Sequence, residues 1–376
     1  MELTQKRIFI VLSPHMNYYH SFRGDSEGRP GFGLDCEYLA DILAMLEKID
    51  QAGLNGGQTH MCWDFADAHW TIPLQQKYQP EVLQKIIARC RNGQDEVLIG
   101  SWSNSGQPLL DTEEIQTQHR IYMRNSDKIG LEQLFPNAIC PFARTQETMY
   151  TQGMIEQYNK LGVKGICLYY STIPFDSARP FLYPRLDMNQ QYGLLKLKSS
   201  VSNAEMLMLP SYNLADVLDF KSLKELILRI RKKQETGAIA ENALLFLNFD
   251  MDVEAWTGLK LPKALQWLPN SRGLYEIYES VEEFSFAEIT TLDRALPNIK
   301  VWGETTLYPD VADGCFNGFY NWAQKFNNTR FWTLAQYARW YKCLADTLIS
   351  PLIGAPLQGP SRSEERRVGK ECRSRW

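Results

Sequence analysis

The chain has 376 residues, 44% hydrophobic and 12% aromatic, which is enough for one large core or two domains. No run of 18 apolar residues occurs, so no helical membrane span is expected, and the net charge is −4, or −7 without the last 15 residues, which disfavours nucleic acid as a partner. Met1 to Arg7 lead straight into a short apolar strand, with neither a signal-peptide core nor a cleavage site, so a cytoplasmic protein is expected.

The first predicted strand is Ile8–Leu12, followed by an aromatic- and polar-rich loop that carries His15 and His20. Leu39, Ile42, Leu43, Leu46 and Ile49 then mark one face of a helix. A strand over Thr59–Asp64 runs into Asp64, Asp67, His69 and two tryptophans, Trp63 and Trp70. The next helix opens at Pro80, carries Val82, Leu83, Ile86, Ile87 and Cys90 on one face, and closes at Gly93. Strand Glu96–Gly100 leads to Trp102, and strand Ala138–Phe142 leads to Arg144 and Glu147. A helix with Met154, Ile155, Tyr158 and Leu161 ends at Gly162 before a strand over Lys164–Tyr169. Further strands are expected at Glu205–Leu209, Ala243–Phe249 and Phe284–Ile289, with a helix bearing Leu223, Leu226, Ile227 and Ile230 between the first two. Repeated strand–helix units imply a mainly parallel sheet, and seven or eight strands favour a closed barrel.

Beyond about Leu307 the character changes. Trp322, Phe326, Trp332, Leu334, Tyr337, Ala338, Trp340 and Tyr341 recur at helical spacing, as a helix packed on the barrel or a sugar-stacking surface would. The expected organisation is a barrel over residues 1–306 and a helical, aromatic-rich segment over 307–361. Residues 362–376 resemble a common short-read sequencing adapter translated in one frame, so they are expected to be non-native and to replace further native C-terminal sequence. That stretch holds six of the 40 basic and three of the 44 acidic residues, which leaves a net charge of −7 on the remainder. It also holds one of the eight cysteines; the others are scattered without a CxxC pair, as free thiols in a reducing compartment would be.

Chemistry is concentrated after the strand Ala243–Phe249, where Asp250, Asp252 and Glu254 follow within a few residues. Burying acids costs several kcal/mol each, on the order of 2–7, unless they are paired or used. The C-terminal ends of barrel strands are where catalytic groups project. Glu147 stands at a second such end. Two carboxylates opening onto one pocket are what glycoside cleavage requires, although each could instead cap a helix or pair locally. Phosphate-loop GxxxxGK[ST], dinucleotide GxGxxG and GxSxG elbow patterns are all absent.

These residues resemble the catalytic domain of glycoside hydrolase family 57, related more distantly to the family 38 α-mannosidases. The family's nucleophile motif, like PE-x-x-Y with a glycine 15 residues after the Glu, is similar to Glu147, Tyr150 and Gly162. Its acid/base motif, like D-x-E-x-F-G, is similar to Asp252-Val253-Glu254-Ala255-Trp256-Thr257-Gly258. A segment like G-x-x-E-x-x-x-S-x-x-x-P-L-L is similar to Gly93, Glu96 and Ser101 running on to Pro108-Leu109-Leu110. The family's N-terminal motif, a strand followed by H-Q-P, is matched only loosely by Pro14-His15-Met16-Asn17-Tyr18-Tyr19-His20, and its Pro before the nucleophile is Gln146 here.

The resemblance implies a (β/α)7-type barrel that acts on α-glycosidic bonds, α-glucans first, by double displacement. Glu147 would be the nucleophile and Asp252 the acid/base, its pKa raised by Asp250 and Glu254. His15, Asp64, Trp102, Arg144, Glu254 and Trp256 would contact substrate. No metal or cofactor is implied: the family 38 zinc pattern H-x-H-x-D is replaced by His15, Asn17 and Tyr19. A zinc-dependent α-mannosidase-like hydrolase and a non-catalytic glycan-binding or regulatory barrel stand as alternatives. The expected partner is an oligo- or polysaccharide, with neither nucleic acid nor membrane.

Overall fold

The structure is a computed structural model that describes residues 6–16, 25–26, 29–33, 38–170, 186–214, 217, 222–251, 254–259, 261–266, 268, 271–307, 311–312 and 325–353. His20, Trp322, Asp252 and residues 362–376 lie outside them, and of Glu254 only the backbone is described. The chain divides into two units, Met1–Gly318 and Phe319–Trp376.

In the first unit the strands are β1 (Ile8–His15), a hairpin of β2 (Asp25–Ser26) and β3 (Arg29–Gly33), β4 (Cys62–Trp63), β5 (Glu96–Ile99), β6 (Ile139–Ala143), β7 (Gly165–Tyr169), β8 (Leu194–Lys198), β9 (Glu205–Tyr212), β10 (Ala243–Asp250), β11 (Ala287–Ile289) and β12 (Val301–Thr305). Each of the eight strands expected from sequence is present. The sheet runs β11-β1-β10-β9-β7-β6-β5-β4, with parallel neighbours throughout, and β8 pairs antiparallel with β9 at one side. It curls until β4 returns to β1: His15 and Asp64 form a parallel bridge, with Met16 N donating to Asp64 O at 2.8 Å. The ring at the C-terminal ends is therefore β1, β10, β9, β7, β6, β5 and β4, a (β/α) barrel. The hairpin, β8 and β12 were not expected; two to five residues of mixed polarity carry too little alternation to read as strands.

The two faces of the strands go to different cores. Ile8, Ile10 and Leu12 of β1 pack outward with the predicted helix stripes, all buried: Leu39, Ile42, Leu43, Leu46 and Ile49 of helix Tyr38–Gln51, Val82, Leu83, Ile86, Ile87 and Cys90 of helix Pro80–Arg91, and Leu223, Leu226, Ile227 and Ile230 of helix Leu223–Glu235. The helix ends follow local chemistry. Pro80 occupies the first turn of its helix, Asp111 and Glu114 form a reciprocal capping box on helix Thr112–Met123, and the Ser222 side chain accepts from Glu225 N.

Alternate residues point inward. Phe9, Val11, Cys62, Leu98, Cys140, Phe142, Cys167, Leu209, Leu244 and Phe246 form a second cluster with Leu292, Ala295 and Ile299, which fill the N-terminal end of the barrel. Gly165 is part of this packing. The Phe142 ring on the neighbouring strand lies over it, and a Cβ there would run into Phe142 Cε1. Gly165→Ala is expected to destabilise the fold by about 1–3 kcal/mol, as core overpacking does, read as a lowered urea midpoint.

Glu96 sets the floor of the barrel. Its carboxylate accepts from the backbone N–H of Leu292 and, at 3.0 Å, of Asp293, holding the first turn of helix Leu292–Ala295. Burial raises its pKa from 4.5 to about 7, against the lowering effect of bonds from Asp293 N, Cys62 and Leu292 N. The folded chain therefore binds a proton that the unfolded chain has released between those pH values, so stability falls as pH rises from about 4.5 to about 7. The full effect is about 3 kcal/mol. Glu96→Gln is expected to remove that slope from a plot of denaturant midpoint against pH. A Glu96→Gln protein with the parent's slope would assign it to other groups, of which His60, its pKa lowered by burial, slopes the opposite way.

In the second unit helix Phe326–Leu348 carries the aromatic segment, and none of its described residues is buried. Among the described residues no helix is long and apolar enough to cross a membrane. Cys62, Cys90, Cys140 and Cys167 are free and buried, and Cys343 is free and exposed.

Candidate active site

The inward alternation changes character toward the C-terminal ends of the strands. Phe9 and Val11 are followed by Ser13 and His15, Cys62 by Asp64, Phe142 by Arg144, Cys167 by Tyr169, Leu209 by Ser211, and Phe246 by Asn248 and Asp250. The apolar filling thus gives way to a polar layer under the barrel mouth. Ser13, Asp64, Ser211 and Asn248 are fully buried, and His15 and Arg144 nearly so.

Arg144 is the hub of that layer. Its Nε donates to Asn248 Oδ1 (3.0 Å), and Nη1 lies 2.9 Å from His15 Nε2 and also donates to Thr145 O (3.2 Å). Asp64 Oδ2 is 3.7 Å from Nε. A guanidinium has only donors, so His15 Nε2 accepts and the His15 proton sits on Nδ1, which contacts Asp64 Oδ2 at 2.6 Å. His15 therefore bridges the buried Asp64 and Arg144 side chains. Asn248 completes the layer: Nδ2 donates to Ser13 O and Ser13 Oγ, both at 3.1 Å, and its backbone carbonyl accepts from Tyr169 Oη at 3.1 Å. Burial opposes the charge on Arg144, yet Tyr169, Asp64, Glu147 and Asp250 together raise its pKa. One carboxylate from the end of β6 and one from the end of β10 thus act on the same guanidinium.

Glu147 is half-buried, four residues beyond the end of β6, with a left-handed backbone (φ 50°, ψ 30°). Gln146, standing where the family 57 motif has Pro, donates from Nε2 to Glu147 Oε1 at 3.1 Å. Asp250 ends β10 in register with His15, and Met251 N donates to His15 O at 3.0 Å. Asp252, two residues on, is outside the described residues.

The other residues singled out from sequence are dispersed. Trp256 is fully buried, its ring stacked on Phe249 (centroids 4.2 Å) and its Nε1 donating to Asp250 O at 2.9 Å, so it anchors the end of β10 and offers no free face to a sugar. Trp102 is half-buried beside His69 (centroids 6.2 Å), whose backbone N–H donates to Trp102 O. Both ring nitrogens of His15 are engaged, so a sugar hydroxyl would reach it only by displacing Arg144 or Asp64. Asn248, Tyr169 and Ser13 were missed in the sequence. The available signal was a polar residue closing the inward alternation of a buried strand, two positions past an inward hydrophobe.

Comparison of the sequence with protein-family models and with curated proteins finds no match. Comparison with solved structures finds the same fold in several enzymes. The 4-alpha-glucanotransferase of Thermococcus litoralis aligns with 82% of this chain at a TM-score of 0.56 and 11% identity. The GH57-type branching enzyme of Pyrococcus horikoshii aligns with 87% at 0.56 and 12%. A GH57 branching enzyme of Thermococcus kodakaraensis aligns with 88% at 0.54 and 11%. The chain spans 42% of the glucanotransferase and 77% of each branching enzyme. At such identity the likeness is one of fold.

Proposed function

We propose that this chain carries the catalytic barrel of a family 57-like glycoside hydrolase or transglycosidase, retaining at the anomeric carbon and acting on α-glucans. The observation that carries the reading is the buried polar layer centred on Arg144 at the C-terminal ends of the strands, beside which Glu147 stands four residues past β6 and Asp250 ends β10 in register with His15, the residue that contacts Arg144. Asp252 follows Asp250, the last residue of β10, by two positions in the sequence. The fold shared with the α-glucan enzymes above supports the same reading.

Glu147 attacks the anomeric carbon and the leaving oxygen takes a proton from Asp252. A glycosyl–Glu147 ester results. Asp252 then draws a proton from water or an acceptor sugar, which attacks the same carbon and releases the ester. Two displacements restore the starting configuration, which requires the two carboxyls about 5–5.5 Å apart. Arg144 favours ionised Glu147 by charge. Trp102, half-buried just beyond β5, faces substrate, while Asp64, fully buried against His15 and Arg144, supports the site from beneath rather than by contact. The enzyme is placed in the cytoplasm, in keeping with its free buried thiols. A zinc site is the weaker alternative, because Arg144 takes the His15 nitrogen that a metal would need and adds a positive charge beside it.

The test is labelling with mechanism-based fluoroglycosides of the α-gluco, α-galacto and α-manno series, followed by peptide mass mapping. The expected result is one glycosyl group on Glu147 from the α-gluco reagent. No label from any of the three would favour a non-catalytic glycan-binding barrel, and stoichiometric zinc in the purified protein would favour the mannosidase-like hydrolase.

A further inference from the structure

Six non-glycine residues among those described have positive φ: Asn55, Asn104, Lys128, Asn137, Glu147 and Thr148. Three are asparagines, whose short polar side chain tolerates that region, and Lys128 lies in an exposed turn. Glu147 and Thr148 differ. They are consecutive, at 50° and 46°, and Thr148 is β-branched and fully buried. A β-branched residue at positive φ is a genuine outlier. Its Oγ1 is also buried without a hydrogen-bond partner among the described residues. The sequence accepts two unfavourable features at one position beside the proposed nucleophile.

The surrounding turn holds the pair on both sides. Arg144 N donates to Ile99 O (2.9 Å), Thr148 N to Thr145 O (3.0 Å) and Met149 N to Gln146 O (2.9 Å). Thr145 Oγ1 donates to Met149 O at 2.7 Å. Tyr150 exchanges backbone bonds with Val311 in both directions, at 2.9 and 3.0 Å. Strain of this kind persists only where the surroundings over-determine the conformation, and it gathers at working sites. A glycine or asparagine at 148 would occupy the same region with less strain. Threonine allows a much narrower well, because both its Cβ substituents crowd the backbone.

We propose that Thr148 is a positioning residue: its strained left-handed backbone restricts the turn at the end of β6 to the single conformer that aims the Glu147 carboxylate over the barrel, at a cost in stability. This rests on the role proposed above for Glu147. Relaxing the turn is expected to stabilise the protein and to slow the chemistry together, a pairing that loss of a merely structural contact does not give.

The experiment compares parent, Thr148→Gly, Thr148→Asn and Thr148→Ala by thermal unfolding and by the rate of glycosylation with the α-gluco fluoroglycoside. Thr148→Gly and Thr148→Asn are expected to raise the midpoint by about 2–4 °C. Thr148→Gly is expected to lower the limiting labelling rate about tenfold with an unchanged half-saturating reagent concentration, and Thr148→Asn to lower it less. Thr148→Ala, which removes the unsatisfied hydroxyl, is expected to raise the midpoint with the smallest change in rate. A Thr148→Gly protein that labels as fast as the parent overturns the proposal, as does one whose midpoint falls. A parent that is not labelled refutes the function of Glu147; the midpoints then decide the strain alone, a rise for Thr148→Gly supporting it and a fall overturning it.

Discussion

Glu147→Ala is expected to lower turnover of an α-glucan about 10⁴-fold, or ~5.4 kcal/mol in the barrier, with the thermal midpoint at or above the parent's. On the proposed double displacement the first step loses its attacking atom, and water in the vacated space is a far weaker nucleophile. The midpoint holds because Glu147 is half-buried and occupies a left-handed backbone that alanine leaves no worse satisfied. Small anions separate this role from a structural one. With an activated α-glucosyl donor, azide entering the space left by the carboxylate attacks the face that Glu147 attacked and yields the β-glucosyl azide. At Asp252→Ala the glycosyl–Glu147 ester still forms from an activated donor, and azide then yields the α-glucosyl azide. The anomeric configuration, read by proton NMR, assigns nucleophile and acid/base separately. An α-azide from the Glu147→Ala protein, or a turnover loss under tenfold, would remove Glu147 from the nucleophile's role.

Arg144→Met is expected to cost about 3–5 kcal/mol of stability, because it leaves the fully buried Asp64 carboxylate without its cation. Methionine replaces much of the aliphatic stem, so little of the loss comes from packing. Three acceptors lose a donor at once, Asn248 Oδ1, His15 Nε2 and Thr145 O. The double variant Arg144→Met/Asp64→Asn is expected to recover part of the loss, since it removes the unpaired charge along with the pair, and a double-mutant cycle in urea reads the coupling. Arg144→Met within about 1 kcal/mol of the parent would mean that the layer is not built around the guanidinium. Arg144→Lys is expected to resemble Arg144→Met more than the parent, because one ammonium cannot serve Asn248 and His15 in the geometry of a planar fork.

What could be read from the chain alone follows from periodicity. Stripes such as Leu39-Ile42-Leu43-Leu46-Ile49 and runs such as Ala243–Phe249 repeat at the spacing of a helix or strand, and that spacing is local. So the eight strands, the helices between them and the barrel were legible. Acids beyond two strand ends were legible too, because a charge after a buried apolar run stands out without any knowledge of its neighbours.

The tertiary structure decided which of those charges meet. Arg144 and Asn248 are 104 positions apart, and His15 and Asp64 are 49 apart; only closure of the sheet from β4 onto β1 places them within hydrogen-bond distance. Closure also took up both nitrogens of His15, and tertiary packing buried Trp256 against Phe249, outcomes that spacing along the chain does not state. The left-handed pair at Glu147 and Thr148 has no compositional sign, since neither residue favours that backbone and the turn's ends are fixed by distant partners, Ile99 and Val311, as well as by bonds within the turn. Residue type and spacing thus determined where charge leaves the sheet. Which charge faces which was left to long-range closure, because hydrogen bonds and ion pairs act over a few ångströms and are blind to separation along the chain.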